Sequence, residues 1–194
     1  MQMPIFPLGT VLFPGGVLPL RIFEQRYLEM TKACLRDGSG FGVCLIREGR
    51  EVGSTAVPAQ IGCIARIREW DMPQLGIFTL IAEGTERFRL GDRQVDRRGL
   101  TLGEIEPLPE LSAPAQPPDE LEACASLLRS IAERIGEDKL PSAPRYDDPA
   151  WVAYRLAEFM PLDPGARQRL LEMDDADLLL GVVARLVQQQ GQSG

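Results

Sequence analysis

The feature that most constrains this chain is a change of hydrophobic period across a run of prolines. Pro107 to Pro118 reads PLPELSAPAQPP, with five prolines in twelve residues. Such a stretch is stiff and extended and cannot continue a helix or a central strand. Before it, apolar residues fall in short runs and at a spacing of two. After it, they recur at three and four. The pattern predicts an α+β chain with segregated elements: a β-rich lobe over residues 1–110, a proline-rich linker over 111–118 and a helical lobe over 119–190. A chain of 194 residues buries enough surface to fold without disulfide or metal staples.

In the first lobe, Met3–Phe6 and Val17–Ile22 read as strands, separated by the turn signal Phe13-Pro14-Gly15-Gly16. Tyr27, Met30, Cys34 and Leu35 then recur at helical spacing within Glu24–Arg36, and Gly38 ends that helix. At its start, Glu24 is placed where the helix dipole favours an acid. Phe23 and Tyr27 are expected to pack inward, and the arginines to pair locally; the competing reading has Arg21, Glu24, Arg26 and Tyr27 lining a binding groove. Phe41–Ile46, Ile61–Trp70, Ile77–Leu90 and Leu100–Ile105 read as further strands. Ile61, Cys63, Ala65 and Ile67 alternate with Arg66 and Arg68, which marks a half-buried strand. Met72 to Gly76 reads as the turn that follows it. In the second lobe, Asp119 with Glu122, Asp148 with Pro149, Asp163 with Pro164, and Asp174 read as helix starts. The apolar stripes behind them are Leu121–Cys124–Leu128–Ile131–Ile135, Val152–Leu156–Phe159 and Leu179–Val182–Val183–Leu186–Val187.

Charge and composition exclude several functions. The net charge is −7. Up to Pro107 there are 13 acids and 13 bases, so the excess lies entirely in the remainder, with 15 acids and 8 bases. A neutral lobe followed by an acidic one argues against a nucleic-acid partner. There is no histidine, which removes Ser-His-Asp and Cys-His chemistry and most zinc sites. Cys34, Cys44, Cys63 and Cys124 show no CxxC spacing and read as reduced thiols, with Cys44 and Cys63, in apolar runs, as small core residues. Lys32 and Lys139, the two lysines, sit on an amphipathic helix and in a polar turn, neither of which would desolvate and activate an amine. Gly38-Ser39-Gly40-Phe41-Gly42 lies between a helix and a strand, the reverse of a phosphate loop. Asp174, Asp175 and Asp177 precede an apolar helix and read as capping acids rather than calcium ligands. No catalytic, metal or cofactor residue is therefore assigned. The apolar first twenty residues lack an early base and contain four prolines, unlike a signal peptide. Leu178–Ala184 is too short to cross a bilayer. A cytoplasmic protein without a membrane partner is expected.

Several ordered stretches resemble one family. Pro4-Ile5-Phe6-Pro7-Leu8 with Leu12-Phe13-Pro14-Gly15 is similar to the opening of the N-terminal domains of Lon-type ATP-dependent proteases. Pro19-Leu20-Arg21-Ile22-Phe23-Glu24-Gln25-Arg26-Tyr27 and Phe41-Gly42-Val43-Cys44-Leu45 resemble segments of stand-alone and cereblon-like members. Gly62-Cys63-Ile64-Ala65-Arg66-Ile67 and Glu83-Gly84-Thr85-Glu86-Arg87-Phe88 look like two of the family's strands. Arg167-Gln168-Arg169-Leu170-Leu171-Glu172 with Asp174 looks like its capped helix pair. The resemblance implies a six-stranded, PUA-like β pseudo-barrel with one helix, followed by an α-helical bundle. It implies a stand-alone, non-catalytic module that binds unfolded or peptide segments of other proteins as an adaptor, regulator or chaperone-like factor. The ATPase and Ser-Lys peptidase domains of Lon are not represented. The alternative is an RNA-binding module, since PUA-like folds also serve RNA.

The candidate partner-binding residues are Arg66, Arg68, Trp70, Met72 and Leu75. Trp70 is expected on the strand face of Arg66 and Arg68, with Met72 and Leu75 beside it at the turn. An aromatic, arginines and a flexible Met are enriched at interfaces. The competing expectation is that Trp70 is buried as lobe-packing core, as large aromatics usually are.

Overall fold

The computed structural model describes residues 1–49, 56–111, 116–136 and 143–191. Half of the predicted linker, residues 112–115, and Lys139 lie outside the described residues. The chain divides into two compact units, Met1–Pro109 and Glu110–Gly194.

The first unit holds β1 (Gln2–Leu8), β2 (Val17–Ile22), α1 (Gln25–Asp37), β3 (Phe41–Glu48), β4 (Val57–Pro58), β5 (Ile61–Gln74), β6 (Ile77–Val95) and β7 (Thr101–Pro107). The sheet order is β1-β7-β6-β5-β3-β4, with β2 on β6. β1 also pairs in parallel with β3, placing Ile5 beside Gly42 and Leu8 beside Leu45. Five strands thus form a ladder that returns to its start, which removes their free edges. Seven strands are present among the described residues where six were expected. The additional one, β4, is two residues long and ends in proline, too short to leave an alternating pattern.

The core of this unit has two parts. One joins Phe6, Tyr27, Met30, Phe41, Val43, Phe78 and Leu80, which ties α1 to the sheet. The other joins Met3, Ile5, Cys44, Ile64, Phe88, Leu90 and Ile105. Phe88 lies directly across from Gly62. A β-carbon built on Gly42 or Gly62 would stand 2.7 Å from the Phe88 ring, so the two glycines make the slot that the ring fills. Gly84 has a different role. Its N–H donates to the Gly16 carbonyl and its own carbonyl accepts from Gly15 N–H. The Phe13 carbonyl occupies the space of the missing side chain.

Local signals in α1 are partly as expected. Gly38 ends the helix at φ 63°, with its N–H donating to the Cys34 carbonyl. Glu24 sits at the N-cap, but its carboxylate makes no capping bond. It pairs with Arg26 at 2.9 Å instead. Arg26 in turn donates to the Gly99 carbonyl. Tyr27 packs inward and stacks on Phe6 with ring centroids 4.0 Å apart. Phe23 does not, and remains 53% exposed. The five-residue turn after Ile61–Trp70 is shorter than predicted. β5 runs to Gln74 and leaves a two-residue turn, Leu75-Gly76, with Gly76 at φ 82°. Pro73 is tolerated there because the ladder is irregular between Asp71 and Gln74.

The second unit holds α2 (Leu121–Ile135), α3 (Pro149–Phe159), α4 (Pro164–Leu171) and α5 (Ala176–Gly191). α3 packs against both α2 and α5. Its residues from Trp151 to Ala157 are all buried, as expected of a helix covered on every side. Asp148 accepts from Trp151 N–H at 3.1 Å and Asp163 from Ala166 N–H at 2.9 Å. Both caps precede a proline, as predicted. Two other predicted caps shift by one residue. Glu120 rather than Asp119 precedes α2, and Asp175 rather than Asp174 accepts from the first turn of α5, at Leu178 N–H. The Glu120 side chain makes no capping bond; at α5 the backbone direction puts Asp175 rather than Asp174 within reach of a free N–H. Phe159 and Ile135, at the ends of their stripes, are 40% and 38% exposed.

Arg155 of α3 is fully buried and pairs with Glu158 at 3.0 Å. Burial pushes the Glu158 carboxyl up to about 7, against the opposing pull of Arg155 and Arg167.

Two predictions follow from this packing. Gly84→Ala should destabilise the protein by roughly 1–3 kcal/mol in denaturant unfolding, because a backbone carbonyl cannot move aside as a side chain can. For Glu158, the folded state binds the proton more tightly than the unfolded chain. Its contribution is therefore full below about pH 4.5, the unfolded value, and is lost as pH rises to about 7. The change amounts to about 3 kcal/mol. Glu158→Gln should flatten unfolding free energy between pH 5 and 7 relative to wild type; an unchanged slope would exclude this assignment.

Candidate polypeptide-binding surface

The β5–β6 hairpin owes its shape to irregular pairing. Ile67 opposes Ala82, but Glu69 opposes Ile81, so β5 carries one extra residue at Arg68. Each such bulge reverses the alternation of faces beyond it. Trp70 consequently opposes Leu80 and shares the face of Ile67, Phe78, Leu80 and Ala82. This corrects the expectation from a regular strand, which placed Trp70 with Arg66 and Arg68.

The two arginines lie on the other side and are engaged. Arg66 opposes Glu83 and donates to the Gly38 carbonyl at 3.2 Å. Arg68 pairs with Glu83 at 3.4 Å. Trp70 packs edge-on against Phe78, with ring centroids 5.7 Å apart. It is nevertheless 54% exposed, so it is not the buried packing residue that its type suggested. Met72 is 44% exposed and Leu75 is 91% exposed. Asp71 fixes the backbone beside them by accepting from Met72 N–H at 2.8 Å. A shallow groove of about 210 Å³ runs along Trp70, bounded by Glu69, Asp71, Thr79, Leu80 and Ile81. The hairpin thus places Trp70, Met72 and Leu75 near one tip and leaves Arg66 and Arg68 further back.

A second concavity, of about 170 Å³, lies where β2 runs into α1. Phe6, Leu8, Leu20, Phe23 and Tyr27 line it, with Arg21 and Glu24 at its border. The competing reading of the sequence named Arg21, Glu24 and Tyr27 for a groove, and all three border this one; Arg26 does not, and Phe23, expected inside, lines it too. The adjacency of a strand end, an aromatic and a helix start was the available signal.

Among the described residues, no three His, Cys, Asp or Glu side chains lie together as metal ligands would. All four cysteines are free and buried. Burial pushes Cys44 up to about 12 and also raises Cys34 and Cys124. Those thiols hold their protons at neutral pH and are poor nucleophiles. No described helix is long and apolar enough to cross a membrane.

Comparison with known proteins gives the family. The profile of the ATP-dependent protease La (LON) substrate-binding domain matches residues 2–189. The chain belongs to that family. This LON domain is 32% identical to a Lon protease of Paraburkholderia phytofirmans, over 91% of the chain but 23% of the relative. It is 26% identical to the protein cereblon of Danio rerio, over 58% of the chain and 27% of the relative. It therefore spans about a quarter of the length of these proteins. Among solved structures, it is similar to a Lon N-terminal domain protein from Xanthomonas campestris, with TM-score 0.77 and 36% identity over 94% of this chain and 96% of that one. The N-terminal domain of Mycobacterium avium complex Lon protease shares the fold, with TM-score 0.66 and 19% identity over the same shares. The matched family is a substrate-binding domain; no ATPase or peptidase domain is matched.

Proposed function

We propose that this LON domain is a non-catalytic module that captures unfolded or extended segments of other proteins. It would act in the cytoplasm as an adaptor, regulator or chaperone-like factor. The observation that carries this reading is the hairpin tip, where Trp70, Met72 and Leu75 are exposed on a strand pair anchored in the core. Large apolar side chains held out on a rigid element lose little entropy when a partner covers them. Trp70 is the anchor, Met72 and Leu75 extend the apolar contact, and Arg66 and Arg68 support the hairpin from its polar face. The family's description as a substrate-binding domain supports this role. RNA binding has no comparable support, since Arg66 and Arg68 are committed to Gly38 and Glu83. We read the ring of strands as the PUA-like pseudo-barrel and the second unit as the helical bundle, with residues 111–118 as a linker between them.

Two expectations follow. Trp70→Ala should cost roughly 1–2 kcal/mol of stability, below the 3–5 kcal/mol typical of a fully buried large side chain. Combined with Leu75→Ser, it should weaken binding of fluorescent casein at least about tenfold, as loss of a hot spot does. A folded double variant that binds casein like wild type would defeat the proposal. In limited proteolysis, the first cut should fall within residues 111–118; a first cut inside Ile61–Ile67 would remove the linker assignment.

A further inference from the structure

β2 is unlike the other long strands: among the described residues it pairs with β6 alone. The direction of its backbone follows from its bonds. Gly84 N–H donates to the Gly16 carbonyl at 2.8 Å. Gly16 thus stands in register with Gly84, one step before the Val17–Glu83 pair. Bonding alternates along an antiparallel ladder, so Leu18, Leu20 and Ile22 bond to β6. Val17, Pro19 and Arg21 turn their backbone groups to the open side. Pro19 fits there because it has no N–H to donate inward.

The open edge is bordered by the cleft described above. Leu8, Leu20, Phe23 and Tyr27 make its walls apolar. Its charge is one-sided. Glu24 is taken by Arg26 at 2.9 Å, whereas Arg21 is exposed and has no ion-pair or hydrogen-bond partner among the described residues. Open carbonyls, a free N–H at Arg21, apolar walls and an unneutralised cation describe a receptor for one kind of ligand.

We propose that the outer edge of β2 takes an extended polypeptide segment as an added strand, with apolar residues in the cleft and an acidic residue facing Arg21. The proposal rests on the polypeptide-binding reading but names a place and a mode separate from the hairpin tip. Backbone pairing would make the site tolerant of sequence, while Arg21 and the apolar walls would bias it toward apolar segments next to an acid.

The test uses the full chain, isotopically labelled for amide NMR, and a capped synthetic peptide of alternating Val and Thr with one central Asp. The peptide should shift the Val17, Arg21 and Phe23 amide signals and slow hydrogen exchange at Arg21. N-methylation of the peptide at alternate residues on its pairing edge should weaken binding about tenfold, as loss of two backbone hydrogen bonds would. Arg21→Glu should weaken binding a few-fold, as exposed ion pairs do, and a peptide with Lys in place of Asp should recover it. The proposal is overturned if the peptide shifts signals at Trp70–Gly76 alone, or if N-methylation on either edge has equal effect; casein capture by the hairpin would then still stand. It is also overturned, together with the polypeptide-binding reading, if neither the peptide nor casein binds.

Discussion

The first unit depends on one strand serving three neighbours. β6 pairs with β5 along most of its length, with β2 through Phe78–Glu83 and with β7 through Phe88–Val95. Between those two halves lies Gly84, against which the Phe13–Gly16 turn folds back. A residue with a β-carbon at this point would meet the Phe13 carbonyl, and the turn that starts β2 would lose its seat. A one-residue slip of β6 would also take Phe88 out of its glycine slot and turn Leu80 and Ala82 away from the core. Register, core and the open edge of β2 are thus settled by the same ladder.

That ladder also explains why the candidate surface has two faces of different character. The bulge at Arg68 reverses the side-chain alternation of β5, which separates Trp70 from the arginines. On the polar face, Arg66 and Arg68 answer a carbonyl and a carboxylate of their own unit. On the apolar face, the core thins toward the hairpin end. Phe78 and Leu80 are buried while Trp70, which packs against them, is half exposed. Trp70 keeps its exposure because β5 projects past its other neighbour: β3 pairs with β5 no further than Ala65. The core end of the element therefore carries its stability, and the proposed contact at Trp70 lies at the end that is not buried.

The second unit is built on a different economy of signals. Its helix starts are set by local hydrogen bonds at Asp148, Asp163 and Asp175. Its centre is α3, whose buried arginine is held through a carboxylate one turn on. Burial raises the Glu158 carboxyl against the pull of Arg155 and Arg167, so pH acts on this unit through that pair.

Much of this was legible in the residues themselves, because the deciding forces were local. The change of period separated strands from helices, prolines following aspartates marked α3 and α4, and Gly38 marked the end of α1. The buried cysteines and the family also followed from residue type and order. The sequence carried the residues of the candidate surface but not their arrangement. A bulge adds one residue to a strand without changing its composition, so nothing in Ile61–Trp70 shows that Trp70 reverses its face. The parallel pairing of β1 with β3 joins segments far apart in the chain and leaves no local mark. β4 is too short to have a period. The exposure of Phe23 and Trp70 depends on where neighbouring strands stop, and only the assembled ladder decides that. Local hydrogen bonding and hydrophobic period are written residue by residue, whereas register, closure and exposure are properties of pairs of strands and come into being only when those strands meet.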